Sequence, residues 1–375
     1  MSEPLLEELR GRFPRVAVVH DWLTIPGGSE QVVLQLLEMF PQAELFTTIY
    51  DPEPWPEQIK ERPVHASYLS RLPGATRHYP KLLPLMNGAF RSFDLSSFDL
   101  VLSSSHACAK NVRTQPGTLH VCYCHTPMRY AWEEGFLEGE QVGRGMRLML
   151  PPLLSRLRRQ DLAGAAGPDV FVANSRHVAD RIARYYGRSA EVVHPPIDVE
   201  HFLSVERSPS DYYLVFGRVV PYKRVDLAVA ACERLSRPLK VAGAGRGLDA
   251  IRASAGAGIE LLGKVSDSER DELLAGARAL LFPGEEDFGI AMVEAQSAGL
   301  PVLAPAAGGA LDIVDQDSGV LLPADFSLAD VASAAIAIAE RDWDRAAISA
   351  GAERFSPERF REQITQLVSV MVSEQ

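Results

Sequence analysis

Two glutamates, Glu286 and Glu294, stand either side of a Phe-Gly break in LLFPGEEDFGIAMVEAQSAG, residues 280–299. Residues 280–282 have the character of a short buried strand, Pro283-Gly284 end it, and Gly289 opens an apolar helix over 290–298 that Gly299 and Pro301 stop. In a parallel sheet, ligands bind at the carboxyl ends of strands, and the helix behind such a loop attracts anions at its N-terminus. A glutamate in the loop and a second inside the helix can then address two parts of one ligand.

Other residues of matching chemistry sit at similar junctions. Gly217 to Lys223, GRVVPYK, follows an apolar run and offers Arg218 as a fork and Lys223 as a point charge for a diphosphate. The competing reading of Lys223 and Arg224 is a solvated helix start. His125, in HVCYCHTPMRYAW, ends a strand, where a ring can donate to a substrate hydroxyl or carbonyl, or simply brace a loop. Gly27-Gly28 lies between a strand and a helix; the pair either lets backbone N–H groups approach a phosphate or makes a sharp turn.

Several patterns point away from other chemistry. Cys122, Cys124 and His125 match no usual zinc spacing. Asp315-Gln316-Asp317 reads as a polar turn and Asp342-Trp343-Asp344 sits among helical residues, so neither is placed to hold a cation against phosphates, and metal-independent chemistry is expected. Gly243-Ala244-Gly245-Arg246-Gly247 has the spacing GxGxG rather than GxGxxG, which disfavours a nicotinamide cofactor; no cofactor is expected. RGMRLMLPPLLSRLRR, residues 144–159, is either a helix with arginines on its wet face or a segment lying on an anionic membrane surface; Pro151-Pro152 should interrupt it.

The elements that position these residues follow a repeated strand–helix order, hence an α/β chain with parallel sheets. Apolar runs at 15–20, 99–103, 119–124, 169–173 and 190–193 predict strands in the first half, with helices from Val32 to Phe40 and over 176–186 behind an Asn174-Ser175 cap. Runs at 212–216, 239–242, 258–262, 279–282, 301–304 and 319–322 predict a second sheet, and 329–340 and 359–371 predict amphipathic helices. Residues 51–97 read as loops and short helices. The stiff His194-Pro195-Pro196 marks a boundary, so the expected domains are 1–196 and 197–357, with 358–375 crossing back onto the first. A chain of 375 residues exceeds one ordinary core.

Composition narrows the partners. A formal net charge of −11 argues against nucleic acid as a partner. Four cysteines make no disulfide framework, the first fifteen residues have no apolar signal core, and no run of about 18 apolar residues occurs. The expected location is cytoplasmic, with peripheral contact at the inner membrane face as the variant; oligomeric state is left open.

Taken together, the motif EDFGIAMVE (residues 286–294), GRVVPYK, VANSRHVADRI and VVHPPID resemble the retaining glycosyltransferases of family GT4, which have the GT-B fold. VHDWL, GGSE, FDLSSFDLVLSSSHACAKNV and YCHTPMRYAW resemble a narrower branch, the WbaZ-like mannosyltransferases of surface-polysaccharide assembly; Asn111 stands where that branch would have glycine. The resemblance implies two Rossmann-like parallel-sheet domains facing a central cleft. It implies that Glu294 binds ribose hydroxyls, that Glu286 and the backbone of Phe288, Gly289 and Ile290 hold the donor sugar, and that Arg218 and Lys223 grip the diphosphate. Gly27 and Gly28 would meet the diphosphate from the first domain, His125 would lie near the anomeric carbon, and Gly263, Lys264 and Val265 would touch the base. The implied reaction is transfer of a hexose, mannose from GDP-mannose, to a hydroxyl of a glycan, a lipid-linked or a small-molecule acceptor, with retention. Acceptor choice would reside in residues 51–91 and 128–159. Alternatives are another nucleotide-hexose donor, a sugar-nucleotide epimerase, a phosphorylase, or a nucleotide-sugar-binding subunit without activity.

Overall fold

The computed structural model describes residues 2–133 and 144–373. Part of the stretch expected to choose the acceptor, 134–143, therefore lies outside the described residues. The chain divides into two compact units, Met1–Pro196 together with Pro357–Gln375, and Ile197–Ser356.

Among the described residues the first unit holds seven strands: β1 Val16–His20, β2 Glu44–Thr47, β3 Val64–Ala66, β4 Leu100–Ser105, β5 Leu119–Cys124, β6 Val170–Ala173 and β7 Ala190–Val192. They lie in the order β3-β2-β1-β4-β5-β6-β7, and every pairing is parallel. The second unit holds β8 Tyr213–Phe216, β9 Leu239–Ala242, β10 Ile259–Gly263, β11 Leu280–Leu281, β12 Val302–Pro305 and β13 Gly319–Leu322. Their order is β10-β9-β8-β11-β12-β13, again parallel throughout. Helices cover both faces, so β1, β4, β5, β11 and β12 are buried along their whole length. That is why these strands read as unbroken apolar runs.

Both sheets share one topological property. The chain builds outward from β1 to β3, then returns to lay β4 on the other side of β1; it does the same with β8 and β11. Loops leaving the two strands at such a switch point diverge, and the space at their carboxyl ends is where open α/β sheets bind ligands.

The last helix, Pro357–Ser373, belongs to the first unit. Phe360, Ile364 and Val368 recur at helical spacing and enter the core that holds Leu6 and Leu9 of the helix Ser2–Arg12. Arg361 Nη1 bonds Gln35 Oε1 at 2.6 Å on the second helix, Gly28–Met39.

Some local expectations fail for identifiable reasons. β2 and β3 were not expected: both are short, and β3 is an edge strand with an exposed His65. The proline pair does not interrupt its segment; Arg144–Ala165 is one helix with Pro151 and Pro152 inside it. Proline's fixed φ is itself helical, and the turns that follow anchor the helix through buried Leu157, Asp161 and Ala165. Arg156 and Arg159 are exposed while Leu153, Leu154 and Leu157 pack inward, the wet-face arrangement. Ser175 alone caps the helix Arg176–Tyr186, accepting from Val178 N at 3.1 Å, while Asn174 Nδ2 donates to His125 O at 3.0 Å. Asp342-Trp343-Asp344 lies between two helices, and Asp344 caps the second by accepting from Ala347 N at 3.1 Å.

A buried ion pair locks the first unit. Lys110 Nζ donates to the Asp161 carboxylate and to Ala107 O at 2.8 Å. Trp132 Nε1 and Tyr186 Oη donate to Asp161 Oδ2 at 2.7 and 2.8 Å. Both charged groups are fully enclosed, so each depends on the other for its hydration substitute. Asp161→Ala leaves Lys110 buried and unpaired, and is expected to lower unfolding free energy in urea by about 3–5 kcal/mol; a change under about 1 kcal/mol would contradict this account.

Candidate active site

In the second unit the switch point falls between β8 and β11, and Lys223 and Glu286, both expected to carry chemistry, meet there. Lys223 Nζ lies 2.8 Å from Glu286 Oε1, with both side chains mostly covered. The lysine leaves a 3-10 turn, Pro221–Lys223, after β8, and the glutamate lies in the loop after β11. Lys223 Nζ also sits 5.3 Å above the centre of the Phe282 ring, a second attraction for the cation. Gly284 makes the approach possible: any side chain there would overlap the Lys223 backbone. On the other side, Glu286 O accepts from Gly309 N at 2.8 Å, and a Cβ on Gly308 would strike Glu286 O.

The neighbouring loops are zipped backbone to backbone. Val219 N donates to Ala244 O and Gly247 N to Val219 O, each at 3.0 Å, while Gly243 N donates to Gly263 O at 2.6 Å. A side chain on Gly243 would overlap Gly217 O, so the GAGRG glycines back the GRVVPYK loop rather than cradle a dinucleotide. Arg218 stands exposed beside this loop, Lys264 is exposed, and Val265 is half-buried. Gly289, at φ 104°, turns the chain into the helix Ile290–Ser297 and offers no side-chain cap, leaving first-turn N–H groups to whatever anion approaches. Phe288 is buried beneath, and Ile290 is half-buried.

Glu294 lies on that helix. Burial pushes its carboxyl up to about 7, with Arg270 pulling it down and Asp267 and Asp271 pushing it further up.

The first unit has its own switch point, between β1 and β4, and a carboxylate ties it shut. Asp21 Oδ2 accepts from the N–H groups of His106 and Ala107 at 2.7 and 2.9 Å, and Oδ1 from those of Cys108 and Ala109 at 2.5 and 2.7 Å. Burial opposes its ionisation, but His106, His20 and these backbone donors prevail and hold it below the usual carboxylate range. Next to it, His20 Nε2 is 3.2 Å from Glu30 Oε1 on the helix that Gly27 and Gly28 begin. Gly27, the N-cap, is exposed and extended, and lacks a side-chain cap. His125, half-buried just beyond β5, bonds Ser104 Oγ through Nε2 at 2.8 Å. Burial, then His106 and His20, hold the His125 ring well below the usual histidine range, so it is neutral near pH 7.

Comparisons with known proteins agree with this layout. Two family profiles match, one described as "Glycosyltransferase Family 4" over residues 26–201, the other as "Glycosyl transferases group 1" over residues 210–341. Both parts of the chain thus match glycosyltransferase models, the first that of family 4 and the second that of group 1. Curated relatives include D-inositol 3-phosphate glycosyltransferases of Streptomyces bingchenggensis, 28% identical over 248 residues (52% of this chain, 54% of the relative), and of Geodermatophilus obscurus, 33% identical over 227 residues (50% and 49%). The chain thus spans about half the length of the curated relatives it matches. Among solved structures, Anabaena HepE in complex with UDP superposes with a TM-score of 0.67 at 17% identity, covering 95% of this chain and 100% of that one. Sucrose-phosphate synthase from Thermosynechococcus elongatus gives 0.66 at 16% identity, covering 96% and 100%. These neighbours carry the same GT-B pair of parallel-sheet Rossmann-like domains.

The structure brings Arg218, Lys223, Glu286, Phe288, Gly289 and Ile290 to one switch point, and Gly263, Lys264 and Val265 to the end of β10 in the same sheet. Gly27, Gly28 and His125 belong to the first unit. Asp21, His20, Glu30 and Ser104 were not singled out from the sequence. The available signal was polar residues at the last positions of apolar strands, His20 closing β1 and Ser103 to Ser105 closing β4. Among the described residues no cluster of three metal-ligating side chains occurs.

The raised Glu294 value predicts a pH effect on stability. Its folded-state value exceeds the ordinary 4.5, so the folded form holds the proton more tightly and stability falls as pH rises from about 4.5 to about 7. Glu294→Gln removes that loss. Its urea midpoint should exceed the wild type's at pH 8, by up to about 3 kcal/mol of stability, with the gain shrinking toward pH 4.5; a gain independent of pH would refute the assignment.

Proposed function

We propose that the protein is a retaining, metal-independent hexosyltransferase that moves a sugar from a nucleoside diphosphate donor, mannose from GDP-mannose, to a hydroxyl acceptor in glycan or polysaccharide assembly. One observation carries the reading: a lysine and a glutamate from the two strands of a switch point are held together beside a helix N-terminus. A nucleotide sugar presents a diphosphate joined to a hydroxyl-bearing ring, and Lys223 and Glu286 match those parts.

In this reading Arg218, Lys223 and the Gly289 helix N-terminus neutralise the charge that gathers on the β-phosphate as the glycosidic bond breaks. Glu286 accepts hydrogen bonds from sugar hydroxyls, with the backbone of 288–290. Glu294 accepts from the ribose, and the Gly263 to Val265 loop receives the base. From the first unit, Gly27 and Gly28 serve the diphosphate and His125 the sugar. The pairing of Glu286 with a cation fits a clamp better than a covalent nucleophile, which supports front-face attack with the leaving phosphate taking the acceptor's proton.

The Anabaena HepE structures contain UDP or UDP-glucose, and the curated relatives carry inositol 3-phosphate in their names. A test therefore needs both sets. Thermal shifts with GDP-mannose, UDP-glucose and other nucleotide sugars in EDTA, then transfer to inositol 3-phosphate and to lipid-linked or oligosaccharide acceptors, would identify the pair. Stabilisation by GDP-mannose is expected. Donor hydrolysis should fall about 100-fold in Arg218→Ala and Lys223→Ala, for lysine mostly in kcat, and fall clearly in Glu286→Ala. If no nucleotide sugar stabilises the protein, or hydrolysis ignores these substitutions, the reading fails; loss of transfer in EDTA ends the metal-free part.

Glu294 adds a pH signature. A ribose hydroxyl donates best to a carboxylate, so nucleoside diphosphate affinity should rise from pH 6 to pH 8 in the wild type and stay flat in Glu294→Gln by calorimetry.

A further inference from the structure

We infer that Glu30, His20 and Ser104 are positioning residues that fix His125 in one tautomer, its proton on Nδ1 and its Nε2 lone pair turned to a serine. His20 Nδ1 lies 3.2 Å from the Ser104 carbonyl and 3.1 Å from its hydroxyl. A carbonyl only accepts, so Nδ1 carries a hydrogen. On the opposite edge, Nε2 faces the Glu30 carboxylate at 3.2 Å. Glu30 is ionised: burial works against it, but the His20 bond and charge, His106 and Ser29 hold its carboxyl below the ordinary range. A carboxylate also only accepts, so Nε2 carries a hydrogen too. His20, with no exposed surface, thus donates from both ring nitrogens, to Glu30 on one edge and to Ser104 on the other.

That leaves one destination for the Ser104 hydroxyl hydrogen. Its oxygen already takes the His20 Nδ1–H, and the remaining partner is His125 Nε2 at 2.8 Å. Were His125 to donate through Nε2, the fully buried serine would keep a hydroxyl hydrogen with no acceptor among the described residues, a cost of about 1–3 kcal/mol. Ser104 is also the register partner of His20 across β1 and β4, so the relay is built into the sheet. Asn174 Nδ2 anchors the His125 carbonyl at 3.0 Å. His106 and Tyr123 flank the ring at centroid distances of 6.3 and 5.1 Å.

The consequence rests on His125 serving the donor sugar. With Nε2 occupied and the ring neutral, His125 offers an N–H and no basic lone pair. It is a hydrogen-bond donor to a hydroxyl or carbonyl oxygen, and cannot be the base that deprotonates the acceptor.

The test is long-range 1H–15N spectroscopy of histidine-labelled full-length protein at pH 6–8, with His125 assigned by His125→Gln. Expected are a protonated Nδ1 and bare Nε2 on His125, and two protonated nitrogens on His20. Ser104→Ala should convert His125 to a mixture of tautomers and lower kcat for donor hydrolysis about 10-fold with KM nearly unchanged, while Ser104→Thr, which keeps the hydroxyl, restores the single form. Glu30→Gln should take one of the two ring hydrogens off His20, and serves as the second probe if Ser104→Ala does not fold. A proton on His125 Nε2 in the wild type, or an unchanged tautomer in folded Ser104→Ala, overturns the inference. Nucleotide binding with the wrong tautomer sinks this inference alone; the right tautomer without nucleotide binding sinks the functional reading alone.

Discussion

Reversal of strand order at the middle of each sheet is the constraint on which the rest depends. Once a parallel sheet grows first one way and then the other, the two central strands send their loops to opposite faces, and nothing in the chain path closes the space between them. Side chains must close it. In the second unit an opposite-charge pair spans the space, Lys223 to Glu286 at 2.8 Å. In the first unit the bridge is a carboxylate, Asp21, gripping four successive backbone N–H groups. The two solutions differ in consequence. Asp21 has all its acceptor capacity engaged and no exposed surface, so it is a fastener. Lys223 and Glu286 keep some exposure and retain donors and acceptors that a ligand can take over.

Charge is distributed in keeping with this division. The chain as a whole carries −11, yet the buried ionic groups of the first unit are balanced locally: Glu30 against His20, Asp161 against Lys110, and Asp21 against backbone dipoles and His106. Such groups cannot lose one partner without stranding the other. Glu294 differs. Burial drives its carboxyl up to about 7, and Arg270, which also pairs with Asp267 and Asp271, pulls it back only in part. A group poised there titrates within the physiological range.

Much of the fold was legible because strands buried on two faces announce themselves as unbroken apolar runs. β5 and β9 match the expected bounds, and the helix Arg176–Tyr186 lies where Ser175 signals its start. β2 and β3 were less legible because both are short, and β3, at the edge of the sheet, carries an exposed His65. The proline pair misled because local propensity predicts a break, whereas packing of Leu157 and Asp161 decides the outcome. At the site, Glu286, Lys223 and Gly289 were readable as punctuation after strands. The histidine relay was not: His20 and Ser104 are 84 positions apart, and only strand pairing makes them neighbours. Gly284 and Gly308 likewise look like ordinary loop glycines until the backbones they accommodate are known.

The last helix carries an implication for synthesis. Because Phe360, Ile364 and Val368 complete a core begun by Leu6 and Leu9, the first unit cannot finish folding when its own strands have left the ribosome. Its apolar groove stays open while the whole of 197–356 is translated. The second unit, contiguous in sequence, has every strand it needs as soon as it emerges. Order of completion on the ribosome is thus the reverse of order along the chain, and the long-lived open groove of the first unit is the natural point of attention for a chaperone.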